Sequence, residues 1–404
     1  MEELGQRLLA GASAAPANSP SVARRGAHSQ PALGELDPRT QPVGLAGGGC
    51  DDGSTGDVAE CEGSVMAQTA GQAEAGGQAP RYASPVDYDR YGHYGQGRGF
   101  NHGASFNRPR YRFQGRITAD GSSGYRAERG RYHLYIAWGC PWAQRTAIVR
   151  KLKGLEDVVS LSYVDDVRDG RGWAFRERRG ADPVNGFTLL AEAYEATEPG
   201  YDGHVSVPAL WDRETGKLVS NNFPDITIDL GTQFAAWASP APDLYPPDLR
   251  AGIDAMNERV YETVNNGTYR VAGATTEADY TELRHRLTGT LTTLDERLAG
   301  QRYLFGDGLT EADVRLWPTL ARFDLGYNPL GKISERRLVD YPALWGYARD
   351  LYQRPAFRDT TDFASFARFG SGPAPSFFND APWRIEVEPY QADWDEPAGR
   401  EQLG

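Results

Sequence analysis

The 404-residue chain is predicted to fold as an α/β unit followed by an all-α unit, behind a long disordered extension. Three observations carry this reading. Residues 1–105 are rich in Gly, Ala, Ser, Pro and Gln and hold no sustained period of 2 or 3.6, the composition of low-complexity chain that cannot bury a core. Residues 106–238 alternate short apolar runs with one helix headed by a cysteine. Residues 245–369 repeat apolar side chains at helical spacing almost throughout, and 370–404 form a Pro-rich, acidic tail.

Within the extension, Met66-Ala67-Gln68 makes a natural start, so residues 1–65 read as a mispredicted extension or a processed leader. Leu8-Leu9-Ala10 is too short for the apolar core of a secretory signal. Order is expected from about Arg110. The apolar run 132–137 predicts a buried strand, Gly139 a tight turn, and residues 140–153 a helix ended by Gly154. Residues 158–164 predict a second strand. The polar insertion 165–203, with Trp173, Phe175 and Phe187, is too long for a plain connection. Residues 205–211 and 217–220 pair around Asp212-Arg213-Glu214-Thr215-Gly216, and a helix follows through Ile226 to about Phe234. Strand, helix, strand, hairpin, helix is the thioredoxin-like order.

Beyond the linker Ser239-Pro240-Ala241-Pro242-Asp243 the pattern is helical. Leu249, Ile253, Met256, Val260 and Val264 recur at spacings of three and four, as do Leu283, Leu287, Leu291, Leu294 and Leu298. Thr310-Glu311-Ala312-Asp313 predicts a capped helix start, with Asp313 reaching back to the cap. Tyr341-Pro342 opens a further helix carrying Leu344, Trp345, Ala348 and Leu351.

A formal charge of −12 and the absence of a basic stripe argue against a nucleic-acid surface. No apolar run reaches the length that spans a bilayer, so no membrane partner is expected. Of 43 basic side chains only four are lysines, a skew typical of GC-rich bacterial genomes rather than of a binding adaptation. Cys50 and Cys61 fall in the extension, leaving Cys140 unpaired. A free thiol without a disulfide framework predicts the reducing cytoplasm. No metal is expected.

Cys140 lies in Tyr132-His133-Leu134-Tyr135-Ile136-Ala137-Trp138-Gly139-Cys140-Pro141-Trp142-Ala143-Gln144-Arg145. A helix opening immediately after it aims free N–H groups and the positive end of the helix dipole at the sulfur, which favours thiolate over thiol. Pro141 suits the first helical position. The competing reading is an inert buried cysteine. The strand, turn, Cys-Pro and helix in sequence favour a catalytic nucleophile.

This assembly resembles the glutathione transferases and, within them, the glutathionyl-hydroquinone reductases or Xi class. Four segments carry the resemblance across about 110–365: Ile117-Thr118-Ala119-Asp120-Gly121-Ser122-Ser123-Gly124; Cys140-Pro141-Trp142-Ala143-Gln144-Arg145; Tyr261 through Asn265-Asn266-Gly267-Thr268-Tyr269; and Leu309-Thr310-Glu311-Ala312-Asp313 through Arg322-Phe323-Asp324. The resemblance implies that a catalytic Cys140 removes a low-molecular-weight thiol from an activated aromatic or hydroquinone adduct through a mixed disulfide, which a second thiol resolves. It implies that Trp173 packs on the bound thiol. Val207-Pro208 matches a Val–cis-Pro pair whose valine backbone holds the thiol's cysteinyl group, and Tyr269 resembles a tyrosine facing the aromatic substrate. Family members associate as dimers, so a homodimer is expected.

Three positions depart from the family. Its Asn-Glu-Ser at the helix after the hairpin grips the γ-glutamyl group of glutathione; here Ser220-Asn221-Asn222-Phe223-Pro224 stands there. An arginine shortly before Val-Pro becomes His204, and a His-Tyr-Tyr near the C-terminus becomes Phe369-Gly370-Ser371. Loss of a charge-assisted hydrogen bond costs about 1.5–3 kcal/mol. The thiol co-substrate is therefore expected to be glutathione or mycothiol, with Asn222 reaching sugar hydroxyls and Phe223 stacking on a sugar face in the second case. The rival reading is a non-catalytic or tailoring protein holding an aromatic ligand between its domains, and a conjugating transferase is disfavoured because such enzymes normally use Tyr or Ser at this helix start.

Overall fold

The computed structural model describes residues 79–95, 106, 108–240, 242–368 and 380–403. Cys50, Cys61, Met66 and Phe369-Gly370-Ser371 lie outside them. One helical turn, α1 (Tyr88–Tyr91), comes first, its N-cap Asp87 accepting the Arg90 N–H at 2.9 Å; this corrects the expectation of disorder through residue 105, because Asp169 and Arg171 of the insertion hold Asp87 and Ser84.

Strand β1 (Tyr132–Ile136) is buried on all five residues, which is why its sequence, polar only at His133, shows no alternation. It is central in a four-stranded sheet of order β2-β1-β3-β4. Helix α2 (Pro141–Leu152) provides the crossover to β2 (Ser160–Tyr163), which runs parallel to β1 with His133 opposite Ser160 and Ile136 opposite Tyr163. The polar insertion contains helix α3 (Ala191–Thr197), which the sequence reading left unassigned. Strand β3 (Ala209–Asp212) runs antiparallel to β1, placing Tyr135 opposite Ala209, and β4 (Lys217–Ser220) completes the hairpin with a bulge at Leu210/Trp211. Helix α4 (Phe223–Thr232) then returns over the sheet beside α2.

The helical part starts with α5 (Arg250–Val260). The expected apolar repeat runs on to Val264, but the helix widens there into a π turn, Tyr261–Asn265, before α6 (Gly267–Gly273). Buried amides hold the extra residue: Asn265 donates to Thr319 Oγ1 at 2.9 Å and Asn266 to the Phe106 carbonyl at 3.1 Å. Helix α7 (Glu277–Leu298) buries Leu287, Leu291, Leu294 and Leu298, while Leu283 is half-buried. Helix α8 (Glu311–Leu320) starts as its sequence predicts, the buried Asp313 carboxylate accepting the Thr310 N–H at 2.8 Å. The same carboxylate takes the Leu304 N–H and the Tyr347 hydroxyl, both at 2.9 Å. After α9 (Asn328–Gly331), α10 (Pro342–Tyr352) buries Leu344, Trp345, Ala348 and Leu351 at the expected spacing. Two short helices follow, α11 (Pro355–Arg358) and α12 (Phe363–Arg368).

The C-terminal stretch wraps onto these helices. Trp394 meets Trp345 edge-on at 4.8 Å, and Arg400 donates to the Leu298 and Gln301 carbonyls at 2.8 and 2.6 Å. Helix α2 packs against both α4 and α8, so the sheet and helical parts meet along the helix that starts at Cys140.

Candidate active site

Cys140 is the N-cap of α2, with extended backbone at φ −87° and ψ 113°, and Pro141 occupies the first helical position. Its half-buried sulfur lies 3.5 Å from the Val207 carbonyl oxygen. The turn before it is held from the insertion, because the Gly139 N–H donates to Asp166 Oδ1 at 2.8 Å. Gly139 is not among the left-handed glycines; it leaves room, since a Cβ there would meet Asp166 Oδ1 at 3.3 Å. Asp166 is itself paired with Arg179 at 2.7 Å and accepts from the Ser365 hydroxyl of α12 at 3.1 Å.

The facing loop is equally fixed. The Val207–Pro208 peptide is cis. One residue earlier, the Ser206 carbonyl accepts the Tyr194 hydroxyl at 2.7 Å and the Ser206 N–H donates back to it at 3.1 Å. Tyr194 belongs to α3, so part of the long insertion serves as a buttress for the Val207 loop. Asn221 joins this loop to the start of α4, donating to Ser206 Oγ at 3.1 Å.

Three arginines surround the nucleophile. Arg145 is fully buried and donates to the Arg315 carbonyl at 2.7 Å; Arg322 donates to the Trp138 carbonyl at 3.1 Å and lies 3.6 Å over the Phe366 ring. Burial lowers both guanidinium pKa values to about 10, against the opposing pull of Tyr327 and the Cys140 sulfur, so both stay charged at neutral pH. Arg108 stacks on Trp142 and Tyr269, at 4.7 and 4.8 Å. A gap of about 10 Å3 beside Gly139 is lined by Arg322, Gly326, Tyr327 and Phe366. A wider concavity at residues 84–91 contains none of these groups.

The sequence-predicted residues divide into two sets. Cys140, Val207 and Pro208 come together around the sulfur. Tyr269 is buried, shares a hydroxyl contact of 3.1 Å with Tyr327 and stacks on Phe106, within the aromatic cluster beside α2. Trp173 is 8% exposed, covered by the Arg168 guanidinium at 3.9 Å, and its buried indole N–H meets no acceptor among the described residues. His204 is half-buried, and its carbonyl accepts the Tyr201 hydroxyl at 3.0 Å. Asn222 turns its amide onto Asp225 Oδ2 at 2.7 Å.

Phe223 is a correction. At 3% exposure its ring packs on Trp142 at 5.1 Å, with the Arg145 guanidinium 5.1 Å from its centre, so it is core between α2 and α4 and leaves no face for a sugar. Sequence reasoning missed Asp166, Arg108, Arg145, Arg322 and Asp225 as site groups. Arg145 and Arg322 stood inside the motif segments, but nothing in a single chain marks an arginine as buried.

Residues 139–233 match the glutathione S-transferase N-terminal domain family and residues 277–350 its C-terminal domain family. The chain is 39% identical over 312 residues to the glutathionyl-hydroquinone reductase YqjG of Escherichia coli (strain K12), covering 74% of this chain and 93% of that enzyme. It is 42% identical over 244 residues to the glutathionyl-hydroquinone reductase PcpF of Sphingobium chlorophenolicum, covering 60% of this chain and 77% of that one. The glutathione-bound structure of YqjG superposes with a TM-score of 0.66 over 71% of this chain and 96% of that chain.

Proposed function

The chain belongs to the glutathionyl-hydroquinone reductase family of Xi-class glutathione transferases, and we propose that it removes glutathione from glutathionyl-hydroquinones with Cys140 as nucleophile. The observation that carries this is the Cys140 sulfur at a helix N-terminus, 3.5 Å from the carbonyl of a Val–cis-Pro loop. In the keto tautomer of the substrate a phenol proton has moved onto the ring carbon that bears sulfur; the Cys140 sulfur attacks the glutathionyl sulfur, the carbon–sulfur bond breaks, and its electron pair flows through the ring to the neighbouring oxygen. A second glutathione thiolate then attacks the mixed disulfide, releasing oxidised glutathione and the Cys140 thiolate.

In this reading Trp173, whose buried indole N–H meets no acceptor among the described residues, packs on the thiol and Val207 presents its backbone, with His204 beside the loop and Tyr269 facing the aromatic ring. Glutathione is favoured over mycothiol because Asp225 puts a carboxylate in the first turn of α4, three residues beyond the place where the family's glutamate is Asn222. Asp225, oriented by Asn222 at 2.7 Å and paired with Arg116 at 3.2 Å, supplies the negative charge that the γ-glutamyl ammonium needs. Among the described residues no helix is long and apolar enough to cross a membrane; a cytoplasmic homodimer remains our expectation, with light scattering on the purified chain as its test. Turnover of a glutathionyl-hydroquinone with free glutathione, absent in Cys140→Ser, tests the reading; equal turnover in both proteins contradicts it.

A further inference from the structure

We propose that Arg108 recognises the ring oxygen of the aromatic substrate and stabilises the negative charge that forms on it, an inference that rests on the reductase reading above. Its guanidinium lies 4.7 Å from the Trp142 ring centre, 4.8 Å from that of Tyr269 and 5.5 Å from that of Phe106. Trp142 is two residues beyond the nucleophile on α2, and the Cys140 sulfur is among the groups whose charge acts on the Arg108 guanidinium. The Trp142 indole N–H is buried and meets no acceptor among the described residues, leaving a second donor on the ring that Arg108 covers.

Arg108 is also held in place. The Phe106 carbonyl, two residues before it, accepts from Asn266 Nδ2 at 3.1 Å and from Arg270 Nε at 3.2 Å. Those bonds tie the segment to the π turn and α6, so the guanidinium is delivered by the sheet unit's N-terminal arm onto the helical unit. Burial opposes its charge, but Tyr269, Tyr111, Tyr261 and the Cys140 sulfur pull the other way and hold its pKa above the ordinary arginine value. A flat, permanently charged group among aromatic faces matches a flat ring bearing an oxygen that becomes anionic.

The chemistry requires such a group. Tautomerisation moves a phenol proton onto the carbon that bears sulfur, leaving the neighbouring oxygen as a ketone. The Cys140 thiolate attacks the glutathionyl sulfur, the sulfur–sulfur bond forms, and the carbon–sulfur pair flows into the ring to end on that oxygen as phenolate. The two sulfurs are oxidised to a disulfide and the ring carbon is reduced by two electrons. A donor fixed at the oxygen stabilises this transition state more than the neutral ground state.

The test is a series of ring-substituted glutathionyl-hydroquinones of increasing phenol acidity, turned over by wild type, Arg108→Met and Arg108→Lys. Loss of one preorganised donor predicts a fall in kcat/KM of about 100-fold for Arg108→Met on the least acidic member. The fall shrinks as acidity rises, and Arg108→Lys recovers part of it. The dependence on acidity is read within each variant and does not change with the fraction of protein folded; Arg108→Lys carries the test if Arg108→Met does not fold. An equal loss across the series, or no loss, with an active wild type overturns this inference alone. A wild type inert toward every member overturns the reductase reading and this inference with it.

Discussion

The Cys140 sulfur and the Val207 carbonyl oxygen lie 3.5 Å apart although 67 residues separate them in sequence. The nucleophile is fixed by α2, and the loop facing it is fixed by α3 through Tyr194. The site therefore depends on a helix inside an insertion that never touches the sulfur.

Tyr194→Phe removes the hydroxyl that both accepts from and donates to the Ser206 backbone, leaving a buried N–H and carbonyl without that partner. A destabilisation of about 1–3 kcal/mol is expected, measured by urea unfolding. With the Val207 loop loosened, KM for glutathione should rise more than kcat falls.

Asn222 and Phe223 separate two effects at one helix start. Asn222→Ala removes the amide that orients Asp225 and should raise KM for glutathione with little change in kcat, because that group grips the thiol away from the reacting sulfur. Phe223→Ser should instead cost about 3–5 kcal/mol of stability, since it empties a site packed by Trp142, Tyr111 and Arg145. Thermal melts and steady-state kinetics of the two single variants check the separation.

Phe223 also shows where the sequence stopped being legible. The order of strands and helices, the Thr310–Asp313 start and the Leu344 to Leu351 face followed from period and capping, which are local. The cysteine's place at a helix start was local too. Whether an aromatic at a helix's first turn faces ligand or core depends on what packs against it, and here that is α2 from 80 residues earlier in the chain. Arg108, Arg145 and Arg322 carry the same lesson: a charged side chain reads as solvated until distant segments bury it. Helix α3 escaped because its short Ala-Glu-Ala-Tyr run sits in a polar insertion with one buried stripe, Ala193 and Tyr194.

His133 makes the fold sensitive to acid. It is fully buried between the Ser160 and Ser162 hydroxyls, at 2.7 and 2.8 Å, and burial followed by the nearby Arg213 and Arg150 charges lowers its pKa from 6.5 to about 3. A depressed folded pKa means the unfolded chain binds the proton first. The stabilisation is therefore complete above pH 6.5 and is lost as pH falls toward 3. Tm should fall across that window, and His133→Asn should show a flatter Tm–pH curve from a lower starting value.

Asp324 acts in the opposite sense. Burial raises its carboxyl from 3.8 to about 6, although it accepts the Leu338 N–H at 2.8 Å. Its folded pKa lies above the unfolded one, so the stability it contributes is full below about pH 4 and declines as pH rises to about 6. Asp324→Asn keeps a carbonyl acceptor and removes the penalised charge. It should be more stable than wild type above pH 6, by on the order of 1–3 kcal/mol, in denaturant titrations at pH 5 and 8.

The central claim is that Cys140 takes the glutathionyl group directly from the aromatic substrate. Intact-protein mass spectrometry after one equivalent of glutathionyl-hydroquinone, with no free glutathione present, tests it most directly. A mass increase of one glutathionyl group, mapped by peptide fragmentation to Cys140, reversed by added glutathione and absent in Cys140→Ser, is the predicted result. Release of hydroquinone while Cys140 stays unmodified, or the same release from Cys140→Ser, would contradict it.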